Sequence, residues 1–106
     1  MSEQAFLLRC EKVLDRIEDV LESAGIDHDA DRQGHVLTLG FDGDAQMVVN
    51  GQSVMQEIWF AHKGGAHHFK LSSAEQWVDT RSGESLSAVF SNAVSAQTGQ
   101  SVVLAL

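Results

Sequence analysis

The 106-residue chain contains no proline, no tyrosine and only one cysteine. Because a disulfide needs two cysteines, no internal disulfide can form, and we expect a protein of the reducing cytoplasm. No apolar run approaches the roughly 20 residues that a membrane-spanning helix needs, which excludes a transmembrane segment. The N-terminal residues hold no basic stretch leading into an apolar one, which argues against a secretory signal.

Basic residues are also scarce, since 7 Lys and Arg stand against 15 Asp and Glu, for a net charge of −8. The phosphates of a nucleic acid must be neutralised by Lys and Arg, so this balance argues against a nucleic-acid partner. A cation or a basic protein is the partner that the charge favours. The hydrophobic content of 43% is that of an ordinary folded protein, and we expect one domain over residues 1–106.

The acidic residues are concentrated near the N-terminus, where residues 15–31 contain seven carboxylates and a single arginine. Like charges crowded on one surface repel each other, so folding alone does not explain the concentration. Two interpretations are open, a solvated face that keeps the protein in solution and a binding site for a cation or a basic partner. The seven residues are Asp15, Glu18, Asp19, Glu22, Asp27, Asp29 and Asp31.

Apolar residues recur at helical spacing from about residue 3 to residue 24, which predicts an amphipathic helix ended by Gly25. On its other side, five acids fall within an arc of about 100° and follow the helix axis. We call these five residues the acidic ridge: Glu11, Asp15, Glu18, Asp19 and Glu22. Asp27, Asp29 and Asp31 alternate, so an extended backbone would place all three on one side, extending the ridge if that strand lies beside the helix.

After residue 26 the apolar period changes to two, which predicts strands. A second amphipathic helix begins at Leu86 and stops near Thr98, and the tail of residues 101–106 is apolar enough to pack onto the body. The expected strands after residues 27–31 are residues 35–41, 45–50, 54–61, 67–71 and 76–79. This order predicts an α+β fold, a two-layer sandwich in which an antiparallel sheet carries both helices on one face.

The alternation in the strand of residues 54–61 predicts which side chains are buried. We expect Val54, Ile58 and Phe60 to point inward, and Trp59 to lie on the opposite face beside Glu57. A large aromatic side chain on the outer face of a sheet is a candidate contact for another protein. A Trp covered by a neighbouring loop is an equally open interpretation.

No motif of an enzyme is visible, and we assign no catalytic residues. Cys10 lies in the apolar stripe of the first helix, which favours a core residue over a nucleophile. The five histidines have no Cys or Glu at metal-ligand spacing. Asp27–Asp31 superficially resembles a calcium loop, but Arg32 stands where that loop requires Gly.

Several stretches distributed over the whole chain form a recognisable pattern. The first is Ile17-Glu18-Asp19, and the others are Gly34–Leu39, the string Asn50-x-Gln52-x-x-x-Gln56-x-Ile58-Trp59-x-Ala61, Lys63-Gly64-Gly65, His68-Phe69, Trp77 and Arg81–Glu84. Together they resemble the frataxin family, and within it the bacterial CyaY branch. The chain departs from the family at Val54, where a proline is usual, and at Leu7, where some bacterial relatives have a histidine.

The resemblance implies a non-enzymatic adaptor that binds ferrous or ferric iron weakly at its surface and acts in iron–sulfur cluster assembly as a monomer. It implies that the seven carboxylates form the iron-binding surface. It also implies contact with a cysteine desulfurase and with the iron–sulfur scaffold protein. The residues implied for these contacts are Glu18, Asp19 and Glu22 on the helix and Asn50, Gln52, Gln56 and Trp59 on the sheet. An iron-oxidising ferroxidase or iron-storage protein is the alternative function.

Overall fold

The computed structural model describes residues 1–106, apart from the side chain of Asp44. The six strands form one antiparallel sheet in which each strand pairs with the next along the chain. The elements are α1 (Glu3–Ser23), β1 (Asp29–Gln33), β2 (Val36–Gly40), β3 (Gln46–Gln52), β4 (Glu57–His62), β5 (Gly65–Leu71), β6 (Trp77–Asp79) and α2 (Leu86–Thr98). The predicted α+β fold is therefore confirmed. Over the described part of the chain, no helix combines the length and apolarity needed to cross a membrane.

Helix α1 begins and ends where local chemistry favours it. The Ser2 hydroxyl accepts the Ala5 N–H at 3.1 Å, satisfying a donor that has no partner within the helix. Gly25 follows the last turn with φ of +67°, as predicted, and this conformation is strained for any residue with a Cβ. The helix buries its apolar stripe against the sheet, and Cys10 is a core residue of that stripe, as predicted.

The core lies between the helices and one face of the sheet. Alternate residues of the central strands point into it, among them Leu37, Val49 and Phe60, all fully buried. Helix α2 contributes Phe90, whose ring centroid lies 5.5 Å from that of Phe60. We call this the inner face of the sheet, and the opposite face the outer face.

The prediction of a strand starting at Val54, with that side chain inward, is wrong. Residues 53–56 form a turn, β4 begins at Glu57, and Val54 is 93% exposed. Gln56 closes this turn with φ of +52°, a conformation that a strand does not adopt. Val54 lies an even number of residues before Ile58, so it fits the alternating pattern of the strand although it lies in the turn. The alternation alone therefore could not show where the strand starts.

The C-terminal tail packs back onto α2, as predicted, through three serines spaced by four residues. The Ser91 hydroxyl accepts the Leu104 N–H at 2.9 Å and donates to the Leu104 carbonyl at 3.2 Å. Ser87 and Ser95 make the same pair of bonds to Leu106 and Val102. Side chains four residues apart lie on one helix face, so the row of hydroxyls satisfies alternate backbone groups of the extended tail.

Candidate functional site

The acidic ridge lies along the side of α1 that faces away from the core. Asp15, Asp19 and Glu22 are exposed, while Glu11 and Glu18 are half-buried. Their positions follow from the helical period, because the residues of the apolar stripe occupy the opposite side. The ridge is therefore formed by one element, as the periodicity predicted.

Arg32 on β1 is the main counter-ion of the ridge, and the sequence analysis did not identify it. Its cross-strand partner is Leu37, a core residue, so Arg32 extends toward the helices. The guanidinium donates to Asp15 Oδ1, to Glu18 Oε2 at 3.3 Å, and to the Glu11 carbonyl at 3.3 Å. The hydrogen bond to Asp15 and the charges of Asp15 and Glu18 raise the pKa of Arg32 against the effect of burial.

Arg32 divides the ridge into two electrostatically different halves. Asp15 and Glu18 share its positive charge. Asp19 and Glu22, one turn further along, form no ion pair within the part of the chain that the structure describes. The exposed carboxylates at the C-terminal end of α1 are therefore the ones open to an external cation.

Two of the three acids after the helix, Asp29 and Asp31, lie on the opposite face of the sheet from the ridge. Asp27 is exposed and precedes β1, which begins at Asp29. Asp29 and Asp31 pair with Gly40 and Thr38, so they lie on the outer face of the sheet, whereas α1 covers the inner face. The alternation of Asp29 and Asp31 was predicted correctly, but it directs them away from α1, whereas Arg32 points toward it.

The ridge carboxylates are not assembled into a preformed metal centre. Among side chains that the structure describes, no three of His, Cys, Asp or Glu are arranged to hold a metal ion. His35 Nε2 lies 3.4 Å from Glu11 Oε1 and is buried, but the geometry makes no hydrogen bond. A cation at the ridge would bind separate, exposed carboxylates and keep most of its water ligands, so its binding would be weak and sensitive to salt.

A second candidate surface surrounds Trp59 on the outer face, where its position was predicted. Its indole lies parallel to the imidazole of His68, its cross-strand partner, with ring centroids 4.4 Å apart. The Trp59 Nε1–H donates to Glu57 Oε1 at 2.9 Å. The side chain is half-buried, with one ring face against His68.

Glu57 is the unexpected member of this surface, because its carboxylate is buried with 5% exposure on the outer face of the sheet. Besides the Trp59 indole, it faces His68 Nδ1 at 3.5 Å and Lys70 Nζ at 3.9 Å. A buried carboxylate requires such donors, because its desolvation is otherwise unfavourable. The sequence did place Glu57 beside Trp59, but it gave no sign of burial, which depends on the pairing of β4 with β5.

Of the other predicted sheet contacts, Asn50 and Gln52 join this surface and Gln56 does not. Asn50 pairs with Trp59 and Gln52 with Glu57, so all four lie on the outer face. Gln56 lies in the preceding turn, and its side-chain amide donates to the Met1 carbonyl. We call Asn50, Gln52, Glu57, Trp59 and His68 the Trp59 surface.

The single cysteine does not form a reactive site. Cys10 is buried, and burial together with the nearby Glu11 charge raises the pKa of its thiol to about 11. A thiol with this pKa is almost fully protonated near neutral pH, and the thiolate is the nucleophilic form.

Comparison with known proteins gives one consistent family. A family model described as a frataxin-like domain matches residues 1–100. The iron–sulfur cluster assembly protein CyaY of Ralstonia pickettii is 42% identical over 109 residues, which cover 99% of this chain and 96% of that protein. The protein of the same name from Paraburkholderia phymatum is 42% identical over 105 residues, covering 99% of both chains. A solved frataxin from Psychromonas ingrahamii superposes with a TM-score of 0.91 at 27% identity and full coverage of both chains.

Proposed function

This chain belongs to the frataxin-like family, and we propose that it acts in iron–sulfur cluster assembly as an adaptor rather than as an enzyme. In this proposal the acidic ridge takes up iron as a weakly bound cargo and meets the basic surface of a cysteine desulfurase. The Trp59 surface, on the other side of the sheet, contacts the iron–sulfur scaffold protein. The relatives' names support the assembly role, and the charge distribution supports the division between the two surfaces.

The proposal rests on the finding that only some of the ridge carboxylates have a positively charged partner. Asp15 and Glu18 already share Arg32, whereas Asp19 and Glu22 have no counter-ion among the described side chains. An external cation or a basic side chain therefore gains most at the Asp19–Glu22 end, where no internal cation has to be displaced. Iron accepts carboxylate oxygen ligands, and such an open set of them favours weak, reversible binding over storage.

A basic partner would bind the ridge mainly through long-range attraction. Charge complementarity raises the rate of encounter and makes the affinity fall as the salt concentration rises. The Trp59 surface has a different character, since its central aromatic ring is flanked by the neutral amides of Asn50 and Gln52. Its binding should depend less on salt, because aromatic contact area is hardly screened by ions.

Reversal of charge on the ridge tests the proposal. We expect the triple variant Glu18→Lys, Asp19→Lys, Glu22→Lys to keep its fold and to lose measurable binding to the cysteine desulfurase. The matched control reverses Asp29 and Asp31, two acids that lie on the outer face away from α1. We expect this control to retain most of the affinity, although it shifts the net charge by about +4, against about +6 in the triple variant. Unchanged desulfurase affinity in the triple variant would overturn the proposed ridge contact.

Measurement of oxygen consumption distinguishes the proposed adaptor from the alternative, a ferroxidase. An adaptor that only holds iron does not speed the reaction of ferrous iron with dioxygen beyond the rate in buffer. If each chain consumed oxygen over multiple turnovers, and the triple variant lost this activity, the chain would be an enzyme rather than an adaptor. Calorimetry of iron and of the desulfurase on one set of ridge variants then shows whether the two bind the same carboxylates.

A further inference from the structure

Two histidines on the inner face form a cluster that neither proposed surface uses. His62 ends β4 and His67 lies in β5, and both rings lie close to the buried Phe60, with centroids 5.0 and 6.2 Å from it. Their Nε2 atoms are 3.1 Å apart, and the ring planes differ by only 6°. The two imidazoles therefore meet edge to edge through one hydrogen bond.

The two ends of this cluster determine which nitrogen carries each proton. At one end the Gly64 amide, which can only donate, points at His62 Nδ1 at 3.0 Å. At the other end His67 Nδ1 lies 2.9 Å from Asp79 Oδ2, and Asp79 Oδ1 accepts the N–H groups of Arg81 and Ser82. Asp79 is 6% exposed and fully supplied with donors, so it acts as an ionised acceptor.

Only one placement of the protons on the ring nitrogens satisfies all of these hydrogen bonds. His62 Nδ1 accepts from Gly64, so its proton is on Nε2, and it donates to His67 Nε2. His67 then carries its proton on Nδ1 and donates to Asp79. Both imidazoles are neutral in this arrangement, and each of the three hydrogen bonds has one donor and one acceptor.

We propose that His62, His67 and Asp79 form a proton-operated latch that holds the turn Lys63–Gly64 closed at neutral pH and releases it in acid. A proton added at His67 Nε2 leaves an imidazolium that keeps its bond to Asp79. It also places two N–H groups against each other at a separation of 3.1 Å. His62 can restore the bond only by moving its own proton to Nδ1, and it then no longer accepts from Gly64.

The two histidines have different surroundings. His67 faces the Asp79 carboxylate, whereas burial and, secondly, the neighbouring His67 lower the pKa of His62. The remaining charged or titratable groups near the pair are all exposed, namely Lys63 in the turn, Arg81 and Glu84 before α2, and His68 on β5. The α2 side chains and the β3 side chain that face the pair are uncharged, namely Val89, Asn92, Ala93, Ala96, Gln97 and Met47.

The turn that the latch holds is also one wall of a groove. A groove of about 560 Å³ lies between this turn and α2, and His62, Lys63, Gly64 and His67 line one side of it. Gly64 packs tightly on the His62 ring, since a Cβ at this position would lie 2.9 Å from His62 Cε1. Loss of the Gly64 hydrogen bond therefore loosens this wall at Gly64, while the pairing of His62 with Gly65 stays in place.

Nitrogen-15 NMR of the imidazoles tests the latch directly in the full-length chain. At pH 8 we expect His62 as the Nε2–H tautomer and His67 as the Nδ1–H tautomer. As the pH falls through the titration of His67, we expect His62 to change to the Nδ1–H tautomer. Over the same range the Gly64 amide should lose about tenfold in protection from exchange, after correction for the intrinsic rate. Opposite tautomers at pH 8, or Gly64 protection that does not follow the His67 titration, would contradict the latch.

Two substitutions test whether His67 causes the acid-induced change at Gly64. His67→Gln removes the titrating group, so the acid-induced change at Gly64 should disappear from the pH range in which His67 titrates. His28→Gln is the matched control, because His28 bonds the Ile26 carbonyl rather than a group of this cluster, and it should leave the Gly64 transition unchanged. An equal transition at Gly64 in wild type and His67→Gln would assign the effect to another group. If His67→Gln does not fold, the wild-type tautomers still decide the question.

Discussion

Trp59 and His68 lie face to face across the outer face of the sheet, with 4.4 Å between ring centroids and 7° between ring planes. The strand register makes them direct neighbours, and Glu57 bonds the indole from below while facing His68. The aromatic ring at the centre of the Trp59 surface is thus fixed before any partner arrives. Such preorganisation reduces the entropy lost on binding.

Glu57 should control the orientation of Trp59. We expect Glu57→Ala to weaken binding to the scaffold protein about tenfold, because hydrogen bonds to charged groups contribute about 1.5–3 kcal/mol. Glu57→Gln keeps an acceptor for the indole and should lose less. The indole proton–nitrogen signal of Trp59 gives a readout independent of binding, and it should shift in Glu57→Ala. Glu75→Ala, which removes an exposed carboxylate paired with Arg9, is the control. An unshifted indole signal in Glu57→Ala would exclude this role.

The part of this architecture that could be predicted from sequence is the part encoded by periodicity. The helical period of α1 gave the ridge, and the alternation in β4 gave the outward position of Trp59. Burial of Glu57 and the position of Arg32 could not be predicted, because both depend on strand pairing between segments distant in sequence. A register shift of one residue would reverse the faces of Arg32 and Asp31, and no local pattern in the chain specifies that register.

Removal of Arg32 should strengthen cation binding at the ridge. Arg32→Gln leaves Asp15 and Glu18 without their internal counter-ion, so we expect the affinity for ferrous iron to rise about fivefold. The free energy of unfolding should fall by about 1 kcal/mol at low salt, because the ion pairs are lost. Calorimetric titration under anaerobic conditions measures the first effect and urea denaturation the second.

Arg9→Gln serves as the control for that measurement. Arg9 lies on the same helix and pairs with Glu75 at 2.9 Å, outside the ridge. Arg9→Gln removes the same positive charge as Arg32→Gln. A purely non-specific electrostatic effect would therefore raise iron affinity equally in both variants. That result would show that Arg32 does not act as a local competitor of iron.

Screening should stabilise the folded chain. Repulsion among the ridge carboxylates disfavours the compact state, so added salt or millimolar divalent cations should raise the melting temperature by a few degrees. Differential scanning fluorimetry in sodium chloride and in magnesium chloride at matched ionic strength separates screening from binding. A melting temperature indifferent to both would show that the ridge is less strained than its charge indicates.

Stability should fall in two steps as the pH is lowered. Burial, followed by the charge of His67, lowers the pKa of His62 below its ordinary value of 6.5. The unfolded chain therefore takes up a proton first, so the stability that neutral His62 contributes decreases as the pH falls below 6.5. Although burial opposes it, hydrogen bonds from Arg81, His67 and Ser82 lower the pKa of Asp79.

The contribution of Asp79 is therefore present above its unfolded pKa, near 3.8, and is lost as the pH falls through the lower folded value. Urea denaturation between pH 8 and pH 3 measures both steps. His62→Gln should remove the first step and leave the second in place. Stability that rises between pH 7 and pH 5.5 in the wild type and is equally steep in His62→Gln would contradict this assignment.

Gly51 on β3 lies close to α1, with no room for a larger side chain. A Cβ at this position would lie 2.7 Å from Cys10 Sγ and 3.2 Å from Cys10 Cβ. We expect Gly51→Ala to lower the free energy of unfolding by about 1–3 kcal/mol through overpacking. The double variant Gly51→Ala, Cys10→Ala should recover part of this loss, since it removes the sulfur. Purely additive effects in the double-mutant cycle would show that the two positions do not contact each other.

In the proposed function, iron enters at the end of the ridge where no internal cation compensates the carboxylates. An anaerobic titration of ferrous iron, followed through the backbone amide signals, tests it most directly. We predict that the signals of Asp19 and Glu22 shift or broaden first, those of Asp15 and Glu18 only at higher iron, and those of Asp29 and Asp31 last. A first response at Asp29 and Asp31, or equal responses along the whole ridge, would contradict the account.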